Sequence, residues 1–199
     1  MRHKVFISYH HDNDQSFKDE LVRIGEGNND FIDRSVKEGD ISDTLSDESI
    51  RETIRDKYLR DSTVTILLVG KETKNRKFID WELYSSMYNG DVNKKSGIIV
   101  ILLPSAESAY CTAAFPNERS TIYPYNQWES IQCKEEFRRR YEYMPERIID
   151  NLIKNDVKIS VINWNKLTSD ILKMMIENAY DARETNNYDL SRPMKKRNN

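Results

Sequence analysis

The sequence predicts an α/β protein in which a central, mostly parallel five-stranded sheet carries helices on both faces. Three observations point there. Val64–Val69 (VTILLV) and Gly97–Leu103 (GIIVILL) are unbroken apolar runs, stopped by Gly70 and Pro104, as strands covered on both sides require. The segments beside them carry apolar residues every three or four positions, the period of a helix buried along one stripe. The two kinds of segment alternate, which is the pattern of βα units joined by right-handed crossovers.

Each element has its own justification. Lys4–Tyr9 is short, apolar and rich in strand formers, and Asp14–Ile24 follows with Phe17, Leu21 and Ile24 on one helical face. Asp12 or Asp14 is expected to cap that helix. Phe31 and Ile32 mark a short second strand, and the polar stretch Ser35–Ser46, with Gly39 inside it, reads as a loop. Ser46 or Asp47 can cap a helix to about Arg60 with Ile50, Ile54 and Tyr58 in line. Phe78–Tyr88 is helical, with Ile79, Leu83 and Met87 as its buried stripe. Lys158–Ile162 supplies the last strand and Lys166–Arg183 the last helix. Residues 105–155 are expected to be an insertion between strands four and five, not a separate domain. It begins as a Ser-, Ala-, Tyr- and Pro-rich loop and ends in a charged helix, with Pro145 at its first turn. The domain then spans 1–185, and the basic residues Arg192, Lys195, Lys196 and Arg197 fall in a flexible, solvated tail, 186–199.

Composition narrows the function classes. In 199 residues, 38% are apolar and 32% charged, so little apolar material is spare for a second core. A formal net charge of -2 argues against a general nucleic-acid binder. No segment reads as a signal peptide or membrane span, and the two cysteines, Cys111 and Cys133, lack metal-ligand spacing. The expectation is a soluble cytoplasmic protein with free thiols, no membrane or nucleic-acid partner and no bound metal.

Open α/β sheets bind ligands beyond the carboxyl ends of their strands. Here those ends are polar: Ser8–Asp12, Asp33–Glu38, and the basic stretch Gly70–Lys77, whose cations would suit a diphosphate. On the helix that starts from Gly70–Lys77, Glu82 lies beside the apolar stripe with Phe78 one turn earlier and Trp81 adjacent. A carboxylate at the edge of an apolar face is a candidate for a tuned functional group.

These pieces resemble TIR domains. FISY (residues 6–9) followed by Asp12 and Asp14 looks like their first motif. The stretch Gly70-Lys-Glu-Thr73-Lys-Asn75-Arg76-Lys-Phe78-Ile79-Asp-Trp81-Glu82-Leu83 resembles the pattern of the TIR-like proteins of bacterial Thoeris anti-phage systems. The resemblance covers about residues 1–104. It implies a flavodoxin-like fold and cleavage of the nicotinamide–ribose bond of NAD, the substrate, with no separate cofactor. It places the catalytic glutamate at Glu82 and the substrate-binding positions at Ser8, Tyr9, His10, His11, Asn75, Arg76 and Phe78. It further implies an ADP-ribose-derived signal, a cyclic ADP-ribose isomer or a related conjugate, that activates a separate effector protein; a homo-oligomer is compatible with it. Two features depart from wider TIR patterns. Phe78 stands where TIR enzymes usually have Trp, and the loop 35–46 lacks an Arg-Asp-Pro-Gly motif. The alternative is a non-catalytic TIR scaffold acting by self-association. A phosphorylation receiver on the same fold is disfavoured, because strand three ends in Val69-Gly70 where a receiver needs Asp.

Overall fold

The structure, a computed structural model, describes residues 3–25, 30–32, 36, 39–42, 44–90 and 94–198. Strands β1 (Lys4–Ser8), β2 (Asp30–Ile32), β3 (Val64–Val69), β4 (Gly97–Leu102) and β5 (Ser160–Asn163) pair in the order β2-β1-β3-β4-β5, every pair parallel. This is the flavodoxin-like order. The chain reverses direction across the sheet between β1 and β3, which opens a crevice at the carboxyl ends of those two strands.

The alternation of side chains in β3 divides the core. Ile66 and Leu68 face a cluster with Leu21 of α1 (His11–Gly25) and Leu172, Met175 and Ile176 of α7 (Ser169–Ala182). Leu67 and Val69 face the other side, against Ile79, Leu83 and Met87 of α3 (Lys77–Met87). A third cluster gathers Phe6, Trp81 and the Ile50 and Ile54 pair of α2 (Asp47–Lys57). Ser46 caps α2, its side chain accepting the Ser49 N–H at 3.2 Å. At the start of β4, Gly97 lets α7 approach closely. A β-carbon there would lie 2.0 Å from the Ala179 carbonyl oxygen.

Residues 105–155 hold three short helices: α4 (Pro116–Ile122), α5 (Lys134–Arg140) and α6 (Glu146–Leu152). They do not sit apart from the core. Phe137, Tyr141, Met144, Ile148 and Ile149 are buried in the α3-side cluster, and Thr112 and Val161 exchange two backbone hydrogen bonds beside β5.

Three expectations are corrected. First, α1 begins at His11, so Asp12 and Asp14 lie in its first turn and neither caps it. Second, the last helix starts at Ser169, because the Thr168 hydroxyl accepts the Ile171 N–H and sets the cap there. Third, residues 186–198 do not form a solvated tail. Asn186 and Met194 are buried, and main-chain groups of Arg192, Pro193 and Lys195 bond to Arg147, Asp80 and Trp81. The basic composition hid these contacts, which are made by the backbone and by charged side chains alike: the Arg192 guanidinium bonds to Asp150 and Lys196 pairs with Asp47. Of the expected loop 35–46, residues 35, 37, 38 and 43 lie outside the described residues. Among those described, no helix is long and apolar enough to cross a membrane, and both cysteines are free.

Candidate functional site

The crevice between β1 and β3 is floored by a carboxyl group. The apolar stripe of α3 packs on the sheet and carries Glu82 inward with it, leaving the residue 1% exposed. At the end of β1 the Ser8 hydroxyl donates to Glu82 Oε2 at 2.6 Å, and the Val36 N–H donates to Oε1 at 2.7 Å. Burial pushes the Glu82 pKa up to about 8, and the two donors oppose that rise without cancelling it. Burial therefore favours the protonated form of the group near neutral pH.

A cavity of about 310 Å³ opens over this carboxyl. The stretch after β1 provides Tyr9, His10, His11 and Asp12 to its wall. The α3 side provides Arg76, Phe78 and Ile79, and Val36 and Asn198 complete it. The Tyr9 and His11 rings lie 4.4 Å apart, and the Tyr9 hydroxyl donates to Gln15 at 2.7 Å. His10 is buried; burial, helped by the Arg76 charge, holds its pKa below the usual value and favours a neutral imidazole. Phe78 is fixed edge-on to Trp81, their centroids 5.2 Å apart. The cavity is thus an aromatic-walled pocket with one buried carboxyl at its floor.

Of the residues singled out in the sequence, Tyr9, His10, His11, Arg76, Phe78 and Glu82 meet in this cavity, while Ser8 acts from behind Glu82. Asn75 lies in the 3₁₀ turn Thr73–Asn75 and is not part of the wall. The basic stretch does not act as one patch. Arg76 bonds to Glu72 at 2.8 Å, and Lys74 donates to the Glu142 carbonyl in the insertion at 2.7 Å. Beneath it, β3 stops where the Gly70 N–H donates to Thr73 Oγ1, and buried Asp14 lies so close to Gly70 that a β-carbon there would be 2.9 Å from its carboxyl oxygens. Burial, with Glu72 nearby, raises the Asp14 pKa to about 6. Sequence reasoning missed Val36, which acts through a backbone N–H that any residue but proline supplies, and Asn198, which reaches the site from far along the chain. It also passed over Asp12 and Ile79 as wall residues. Among the described residues, no group of three or more His, Cys, Asp or Glu side chains is placed to hold a metal ion.

A model of the family described as Thoeris protein ThsB, TIR-like domain, matches residues 6–108. The chain belongs to this family. The match runs from β1 to just past β4, so it includes both Ser8 and Glu82 and ends where the insertion begins. This makes the chain a TIR-domain protein of a Thoeris-like system. A search of curated proteins finds no match. The site of this TIR-like domain accordingly lies in the matched part, except for Asn198.

Proposed function

We propose that this TIR-like domain cleaves the nicotinamide–ribose bond of NAD and converts the remainder into an ADP-ribose-derived signal, a cyclic isomer or a related conjugate, that switches on a separate effector protein in anti-phage defence. The observation that carries the reading is the position of Glu82: one buried carboxyl at the floor of an aromatic-walled cavity, at the sheet's switch point, on the helix where the family resemblance places its catalytic residue.

The chemistry asks for little more. When the C1′–N bond breaks, its electron pair passes to the pyridinium nitrogen and nicotinamide leaves neutral, so no general acid is required. Positive charge spreads over C1′ and the ring oxygen, as in glycoside hydrolysis. A carboxylate beneath that ribose stabilises the charge most where water is excluded. Burial favours the protonated form of Glu82, but a cationic pyridinium ring beside it favours the ionised form and lowers its pKa. Substrate binding would therefore release the Glu82 proton to solvent and generate the carboxylate, with Ser8 and the Val36 N–H holding it. The ribosyl centre is then taken by a ribose hydroxyl of the same molecule or by water, which releases its proton, or by an adenine nitrogen, in which case the positive charge passes to the adenine and is relieved by loss of a proton from its amino group. The cavity volume suits the nicotinamide riboside half; the diphosphate and adenosine would lie across the rim, on the side of Arg76.

The test is made in cells. Wild type and Glu82→Ala are expressed beside a cognate effector, challenged with phage, and the small-molecule lysates are compared by mass spectrometry. A new ADP-ribose-derived species that requires both Glu82 and infection supports the reading. Equal protection by both forms without such a species overturns it. The second reading, a non-catalytic scaffold, then stands. It is favoured by the fact that both Glu82 oxygens already have internal donors, as a purely structural carboxyl would.

A further inference from the structure

The segment 186–198 is rooted firmly and ends at the cavity. The Asp189 N–H donates to Asn151 Oδ1 at 2.7 Å, and the Arg192 guanidinium bonds to Asp150. Arg147, wholly buried, donates to the carbonyls of Arg192 and Pro193 while it pairs with Asp80 at 2.9 and 3.0 Å. The Lys195 N–H donates to the same Asp80 carboxylate, the Trp81 indole N–H donates to the Lys195 carbonyl, and Met194 is buried beside Trp81. Each of these anchors lies on α3 or α6, and Asp80 and Trp81 immediately precede Glu82. Beyond Lys195 the chain crosses toward the cavity. Lys196 pairs with Asp47 at the start of α2, and Asn198 Oδ1 accepts the Lys77 N–H at 2.9 Å at the start of α3. Asn198 is part of the cavity wall.

We propose that Asn198 is a substrate-contacting residue whose carboxamide N–H groups bind the diphosphate of a dinucleotide as it leaves the cavity. This role rests on the NAD reading above and deepens it. With Oδ1 engaged by Lys77, the carboxamide retains its two N–H donors, Nδ2 being donor-only. A cavity of this size holds a nicotinamide riboside, so the group passing its rim is the diphosphate, which offers only acceptors. Arg76, a cation in the cavity wall, is already bonded to Glu72, which leaves a neutral donor the more useful. The hydrogen-bonded root at Arg192–Lys195, with Met194 buried, fixes the approach of the residue, which is how a side chain outside the main fold can be a repeatable part of the site.

Asn198→Asp separates this role from a structural one. A carboxylate oxygen still accepts the Lys77 N–H, and negative charge is favourable at the start of a helix, so the thermal midpoint should be unchanged or slightly raised. At the rim it exchanges a donor for an anion. Binding of NAD and of nicotinamide riboside, which lacks the phosphates, is titrated calorimetrically with the purified full chain. The expected result is tenfold or greater weakening for NAD and less than twofold for the riboside, with Asn198→Ala in between for NAD. If the riboside binds too weakly to titrate, the order for NAD (wild type, then Ala, then Asp) decides, and any other order overturns the proposal. So does an Asn198→Asp variant that binds both ligands as wild type does, or weakens both alike. A wild type that binds neither ligand removes the NAD reading itself, a distinguishable outcome.

Discussion

Ser8 and Glu82 stand 74 residues apart and are joined by a 2.6 Å hydrogen bond from the hydroxyl to a carboxyl group that is 1% exposed. The bond links the end of β1 to α3 across the crevice, and it is too weak to offset what burial does to the acid. With a folded pKa near 8 against an ordinary 4.5, the folded chain keeps a proton that the unfolded chain gives up. The stabilisation from this group is complete below about pH 4.5 and is lost as pH rises through about 8. The thermal midpoint of wild type should therefore fall between pH 5.5 and 8.5. Glu82→Gln, which cannot ionise, should show a flatter profile. Scanning calorimetry of both across that range is the check; parallel profiles would show that Glu82 is ionised throughout.

If Glu82 acts as a carboxylate, its own ionisation should appear in the kinetics. The kcat/KM for NAD reports the free enzyme, so it should rise with pH toward about 8 and level off above it. Ser8→Ala removes a donor that favours the charged form, and should move that rise to higher pH. A profile without a limb in this region, or one unmoved in Ser8→Ala, would contradict the assignment.

The Arg147–Asp80 pair is buried on both sides, at 0% and 4% exposure. Removing one partner leaves the other charged and stranded. Asp80→Ala or Arg147→Ala should each cost about 3–5 kcal/mol in urea denaturation. The double change Asp80→Leu with Arg147→Met should cost less than the two losses combined, because no bare charge remains.

Gly97→Ala tests the approach of α7 to the sheet. Its methyl group would meet a backbone carbonyl at 2.0 Å, and a backbone cannot swing aside as a side chain does. The expected loss is about 1–3 kcal/mol, toward the upper end, measured as a fall in the urea midpoint.

The insertion is expected to be structural. Ile148 on α6 is fully buried against the α3-side cluster. Ile148→Ala should cost about 2–5 kcal/mol. A cost below 1 kcal/mol by the same denaturation measurement would mean that the insertion is dispensable to the core.

What the sequence made legible was local. VTILLV and GIIVILL are strands because nothing in them interrupts burial, and Ile79, Leu83 and Met87 fall on the sheet because their spacing allows no other face. Glu82 was readable for the same reason, since its place on the wheel is set by that stripe. The Val36 contact was not, because it is made by a peptide group without regard to side chain. Nor were the contacts of 192–198. Their partners lie 42 to 149 residues away, and the hydrophilic composition of the segment hides a backbone that satisfies a buried guanidinium. Asn75 shows the opposite case. Its neighbours match a pattern, but the 3₁₀ turn holds it off the cavity wall.

The crossing of 192–198 over α3 also orders events during synthesis. Ser8 and Glu82 leave the ribosome early, but Asp80 has no counter-ion until Arg147 emerges, and the rim lacks Asn198 until the stretch beyond Lys195 follows. At about 5–20 residues per second, the interval between the floor and the rim of the cavity is on the order of ten seconds. For that time the nascent chain carries the residues of the floor and of the rest of the wall but lacks Asn198, so the rim is completed only after the other parts of the cavity have been made.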